Sequence, residues 1–141
     1  MKTDHPSIAA VDLGSNSFHL LVARHVDGRF QVLHKEKQRV YLAAGLDEDF
    51  NLSQEAIARA LHALQQFATT LESFSHSHVQ VVATYTLRNS KNIQDFLRLA
   101  QRNFPFKINV ISGQEEARLI YQGVANYMHS DHNRLIFYIG G

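Results

Sequence analysis

A chain of 141 residues with 45% hydrophobic and 19% charged side chains has room and composition for one ordinary globular domain. A formal net charge of +1 without a basic tail gives no support to general nucleic-acid binding, and the lack of cysteine excludes a disulfide framework and a thiol nucleophile. The nine histidines are scattered without the spacing of a zinc-binding helix, and no apolar run approaches a transmembrane segment. Met1 to Pro6 leads into a strand that meets Asp12 too soon for a signal peptide, so a cytoplasmic location is expected.

Ser7 to Leu13 is an apolar run, and Phe18 to Val26 continues beyond a polar turn with β-branched and aromatic residues. Two buried strands therefore flank Gly14-Ser15-Asn16-Ser17. Glycine there lets backbone N–H groups approach an anion, and Ser15, Asn16 and Ser17 add short donors, which together make a phosphate cradle. Asp12, just before the turn, suits Mg²⁺ held directly or through water. The same residues also read as an ordinary hairpin turn whose Asp and Asn bond their own backbone.

Asp27-Gly28 signals a second hairpin, and Arg29 to Val40 a third strand ending in the basic residues Lys35, Lys37 and Arg39. Tyr41 to Leu46 reads as a connector, and Asp47-Glu48-Asp49 as a solvated loop rather than a metal site. Ser53 caps a helix predicted over Gln54 to Phe74, with Ile57, Leu61, Leu64, Phe67, Ala68 and Leu71 at helical spacing. Val79 to Thr84 follows as a strand. A second helix is predicted from Leu87 or Ser90 to Asn103, stopped by Phe104-Pro105. Lys107 to Ser112 is another strand, a third helix starts at Gly113, and Arg134 to Ile139 is a final strand that runs into Gly140-Gly141. The order βββαβαβαβ predicts an α/β fold: a mixed sheet of about five strands with helices packed on it. The cradle, the Thr84 region and the Ser112-Gly113 corner would then share the edge where ligands collect.

Three further features carry potential chemistry. Arg88, just past a strand end, could bind two phosphate oxygens or simply pair with a helix carboxylate. Glu115 and Glu116 open the third helix, where the helix dipole alone favours carboxylates. As a general base for attacking water only one of them can face the cradle, because neighbours on a helix point about 100° apart. Gly140-Gly141 reads equally as the start of a second phosphate loop or as a flexible end.

Taken together, several motifs in order over nearly the whole chain resemble the exopolyphosphatase and guanosine pentaphosphate phosphohydrolase family. They are Val11 to His19, Arg39-Val40 with Leu42 to Leu46, Ala83-Thr84 with Thr86-Leu87-Arg88, Ile111 to Tyr121, and Ile139-Gly140-Gly141. The resemblance implies a half-domain of the ribonuclease-H-like fold shared by actin, Hsp70 and sugar kinases. It also implies Mg²⁺-assisted release of terminal phosphate from inorganic polyphosphate, or of the 5′ γ-phosphate from guanosine pentaphosphate in the stringent response. Lys37-Gln38-Arg39-Val40 is more similar to the exopolyphosphatase branch. On this resemblance Glu116 is the base that activates water, Asp12 binds the metal, Gly14, Ser15, Asn16 and Ser17 hold phosphate with Gly140 and Gly141, and Arg88 binds the polyanion. It further implies a cytoplasmic enzyme, open to peripheral membrane association and homodimeric at full length, without nucleic-acid partners.

Two positions depart from the family pattern. Tyr138 stands where the family has a second metal-binding Asp, and a neutral phenol is a poor Mg²⁺ ligand. The sequence also stops at Gly141, where the family continues into its second half-domain. Residues 1–133 are thus expected to form the first half-domain and 134–141 the first strand of the next, with little activity in isolation and a tendency to self-associate. A non-catalytic polyphosphate- or nucleotide-binding module is the alternative from another class. An ATP-binding relative of the sugar kinases is disfavoured by Ser112-Gly113-Gln114-Glu115-Glu116-Ala117-Arg118.

Overall fold

The structure, a computed structural model, describes residues 7–115. Three strands open the chain, β1 (Ser7–Leu13), β2 (Ser17–Val26) and β3 (Arg29–Arg39). The β2–β3 turn places Asp27 and Gly28 at φ of 52° and 77°, as a two-residue hairpin with right-twisted strands demands and as an Asp-Gly pair tolerates. A 3₁₀ turn (Ala43–Gly45) leads to α1 (Gln54–Thr70), followed by β4 (Val79–Ala83), α2 (Tyr85–Asn89), α3 (Ile93–Ala100) and β5 (Asn109–Val110). Residues 113–115 are helical.

The five strands form one sheet in the order β3-β2-β1-β4-β5. The two hairpin pairings are antiparallel, whereas β1 with β4 and β4 with β5 are parallel. Helical crossovers impose this change of direction, because a strand reached through a helix re-enters the sheet parallel to its neighbour. The ends of β1, β4 and β5 therefore lie on one edge, joined there by the start of β2 and the end of β3.

Side chains alternate across the pleat, so Val11, Leu13, Phe18, Leu20, Val81 and Ala83 share one face. They form the buried core with Ala60, Leu64 and Phe67 of α1 and Phe96 of α3. The opposite face carries Ala10, Leu21 and Ala23, also buried, in line with Asp12 and His19. Burial on both sides is why β1 and β2 read as nearly continuous apolar runs.

The expected helix at Gln54 starts as read, with the Ser53 hydroxyl accepting from the Ala56 N–H at 3.1 Å. It ends at Thr70 rather than Phe74, and the Thr70 hydroxyl donates across to Glu36 of β3. The single second helix is instead two. Asn92 clamps the backbone of Leu52 from both sides, accepting from its N–H at 2.9 Å and donating to its carbonyl at 3.0 Å. The Lys91 N–H donates to the Phe50 carbonyl at 2.7 Å. These long-range bonds hold residues 90–92 against the 50–52 loop and out of the helix, a tertiary contact that overrides local periodicity. The strand at Lys107 is shorter than read, only Asn109 and Val110 being paired.

Candidate functional site

The turn after β1 is held in a definite orientation by its carbonyls. The Ser15 carbonyl accepts from the Ala43 N–H at 3.0 Å, and the Asn16 carbonyl accepts from both Val40 and Tyr41 N–H groups at 2.8 and 2.9 Å. A trans peptide points its N–H away from its C=O, so the N–H groups of Asn16 and Ser17 face away from the 40–43 segment. N–H groups on that side of the turn are placed to meet an anion approaching from there. The Gly14 N–H donates to the Ser17 carbonyl at 3.1 Å and closes the turn.

Keeping the 40–43 segment in place takes strain and a clamp. Tyr41 has a φ of 53°, unusual for a residue with a side chain, which costs about 1–3 kcal/mol. Arg59 of α1 donates to the carbonyls of Val40 and Tyr41 at 2.8 and 3.2 Å, fixing that geometry from the helix side. The connector read from sequence is thus the frame that aims the turn, a task carried by its backbone and invisible in residue type.

Thr86, which the sequence offered only as part of a motif, has a contact that its residue type did not indicate. It is buried at the start of α2, and its hydroxyl donates to the Ser15 Oγ at 2.6 Å. With a lone pair so engaged, the Ser15 O–H remains a donor for another acceptor. The nearby Thr84 N–H meets the Leu13 carbonyl at 3.4 Å, so β1 and β4 deliver both groups to the same edge. The signal available in sequence was a threonine two residues past a strand end, too common to single out.

Arg88 lies on the same edge. Its Nη1 donates to the Ile111 carbonyl at 2.8 Å, and Nη2 lies within 3.8 Å of the position a side chain on Gly113 would take. The guanidinium is therefore tied between α2 and the corner after β5, with the Tyr85 ring 5.7 Å from its centre. At that corner Ser112 accepts from the Glu115 N–H at 3.0 Å, which with Glu115 three residues on has the spacing of a capping box. Ser112 is therefore the residue whose side chain caps the helix start at 113.

Asp12 ends β1 on the face shared by its cross-strand partner His19, which is itself opposite Lys37. Burial first, and then the Lys37 ammonium, push the His19 imidazole below its ordinary 6.5. Its Nε2 is buried without a hydrogen-bond partner among the described residues. Asp47, Glu48 and Asp49 are exposed, and the Asp47 carboxylate accepts from the N–H groups of Asp49 and Asn51, a self-contained loop as expected. Among the described residues no three His, Cys, Asp or Glu side chains cluster as a metal cage. Glu116, Tyr138, Gly140 and Gly141 lie outside the described residues, as does the proposed boundary at 133–134.

The turn, Thr86, Arg88 and the Ser112 corner are thus brought together at one edge of a 3-2-1-4-5 sheet. Residues 21–141 match the model of the Ppx/GppA phosphatase family. The chain belongs to that family. A Haemophilus influenzae protein named as a presumed exopolyphosphatase is 52% identical over 134 residues, covering 95% of the chain and 42% of that relative. An Aliivibrio fischeri guanosine-5′-triphosphate,3′-diphosphate pyrophosphatase is 47% identical over 139 residues, covering 99% of the chain and 28% of the relative. The chain therefore spans less than half the length of these Ppx/GppA relatives. Among solved structures, the Aquifex aeolicus family member superimposes with a TM-score of 0.82 at 25% identity, over 89% of the chain and 41% of that protein. A Cytophaga hutchinsonii exopolyphosphatase gives 0.78 at 32% identity, over 86% and 39%. The mixed sheet with helices is accordingly the ribonuclease-H-like α/β fold of Ppx/GppA proteins. Among the described residues no helix is long and apolar enough to cross a membrane.

Proposed function

We propose that these residues form the phosphate-holding N-terminal half of an exopolyphosphatase-type hydrolase that releases terminal phosphate from inorganic polyphosphate. The supporting observation is the carbonyl-pinned turn at 14–17, bonded through Ser15 to Thr86, with Arg88 tethered to the Ile111 carbonyl at the same edge of the sheet. In this reading residues 1–133 are one half-domain and 134–141 begin the second. The terminal phosphoryl group lies in the turn, with Asn16 and Ser17 N–H groups and the Ser15 O–H donating to its oxygens. Arg88 faces the polyanion from the α2 side. Glu116 takes the proton from the attacking water.

Asp12 would hold Mg²⁺. A carboxylate near the end of β1, beside the turn, would suit such an ion with most of its waters retained. When bound, Mg²⁺ neutralises charge that develops on the phosphoryl oxygens. Asp12 and the turn would then act together, the carboxylate through the ion and the N–H groups directly.

Guanosine pentaphosphate is the second reading, supported by the Aliivibrio fischeri relative, and the 14–17 turn would hold its terminal phosphate in the same way. Phosphoryl transfer depends on charge supplied from both sides of a closed site. Since the chain spans 42% of its exopolyphosphatase relative, the 141 residues assayed by themselves are expected to bind without appreciable turnover. Phosphate release from polyphosphate with Mg²⁺, compared between the chain and its Glu116→Gln variant, tests this. Equal, background-level release supports binding without hydrolysis, and Glu116-dependent turnover would overturn it.

A further inference from the structure

The geometry points to a polyphosphate track on the exposed edge strand β3, made by Lys35, Lys37 and Arg39 and leading away from the 14–17 turn. This deepens the proposed function and rests on that turn being the terminal phosphate site.

In the antiparallel register Arg39 is opposite Ser17, Lys37 opposite His19 and Lys35 opposite Leu21. All three cations consequently lie on the sheet face of Asp12 and His19, and Arg39 stands next to the turn. Spaced two residues apart, they repeat at about 7 Å and extend over about 14 Å of strand. Each is exposed, and none makes an ion pair or side-chain hydrogen bond among the described residues. The acid of this stretch is kept off that face. Glu36 alternates to the core side, where the Thr70 hydroxyl donates to it and His34 Nε2 lies 2.8 Å from its carboxylate. The sequence Lys35-Glu36-Lys37-Gln38-Arg39 therefore folds into a row of exposed positive charge along a sheet edge, without an ion-pair partner among the described residues.

A terminal phosphate in the turn needs no cation as far away as Lys35. A linear polyanion that continues past the turn meets a charge at every second strand residue, and each contact releases a condensed counterion. Single-stranded nucleic acid would offer the same charge, but no aromatic side chain alternates with these cations between residues 35 and 39 to stack a base. Polyphosphate is the polyanion that this row fits.

The test measures calorimetric affinity of the full chain for tripolyphosphate and for long-chain polyphosphate in Mg²⁺ buffer, alongside the K35Q/K37Q and K35R/K37R variants. We expect the parent to prefer the long chain by about tenfold or more, a preference that falls to within about threefold in K35Q/K37Q, with a salt slope shallower by about two. The K35R/K37R variant, which keeps both charges, retains the preference. An unchanged preference in K35Q/K37Q would overturn the track and leave the turn site standing. Tighter binding of an RNA oligonucleotide than of long-chain polyphosphate, lost in K35Q/K37Q, would overturn the choice of polyanion. If the parent fails to bind tripolyphosphate, the turn site falls and the track with it.

Discussion

At the scale of single residues, the site depends on groups that orient other groups. Thr86 touches no ligand in the proposed reading, yet its 2.6 Å bond holds the Ser15 Oγ in place and takes up one of its lone pairs. Replacing it with valine keeps the shape and removes the donor. Thr86→Val should lower stability by about 1 kcal/mol. It should weaken tripolyphosphate binding about two- to tenfold, with non-additivity against Ser15→Ala in a double-mutant cycle followed by calorimetry. Binding at parental strength would refute this holding role. His19 gives a second prediction. Its imidazole is held below 6.5 by burial and by Lys37, so the unfolded chain takes up this proton at higher pH than the folded one does. The neutral-His19 contribution is complete above about pH 6.5 and declines as pH falls below that value toward the folded-state pKa. Thermal unfolding followed from about pH 7.5 to about pH 5 should show a smaller loss of stability in His19→Gln than in the parent. Identical losses in the two proteins would show that another group carries the effect. Asp12, Ser15, Asn16, Ser17 and Arg88 were legible as candidates because each sits in a short motif at a strand end. Thr86 was not, since its task exists only once α2 is set beside β1.

At the scale of elements, the connector between β3 and α1 sets the direction of the cradle. Its 3₁₀ turn packs so closely on α1 that a side chain at Gly45 would come within 2.3 Å of the Ala56 Cβ. The contact is with a short, rigid methyl group on a helix, so relief requires backbone movement of the connector itself. Gly45→Ala should destabilise the fold by about 1–3 kcal/mol, read as a lower denaturant midpoint. Because the connector also holds the carbonyls of Ser15 and Asn16, the same variant should lose tripolyphosphate affinity at temperatures where it remains folded. A variant with parental midpoint would contradict the packing described here. The helix at Gln54 was readable from Ser53 and a sustained apolar period. The break at 90–92 was not, because Asn92 acts on Leu52, forty residues away in sequence.

Across the whole molecule, sheet order explains why residues from distant parts of the chain can serve one site. Placing β4 beside β1 brings Thr86 against Ser15, and placing β5 beside β4 sets the Ser112 corner beside Arg88 at the same edge. The Glu116→Gln comparison belongs to this scale, since turnover requires opposing walls and binding requires only one. The sequence by itself determined the strands, the helix at Gln54, the α/β class and the motifs that mark Ppx/GppA membership, because periodicity and turn chemistry are local properties. Only the tertiary structure decided which way the 14–17 N–H groups face, that Gly14 closes the turn, and that Lys35, Lys37 and Arg39 share a face with Asp12. Those facts depend on which carbonyls are pinned and which strands are neighbours, and pairing between segments far apart in sequence is settled only when the chain folds.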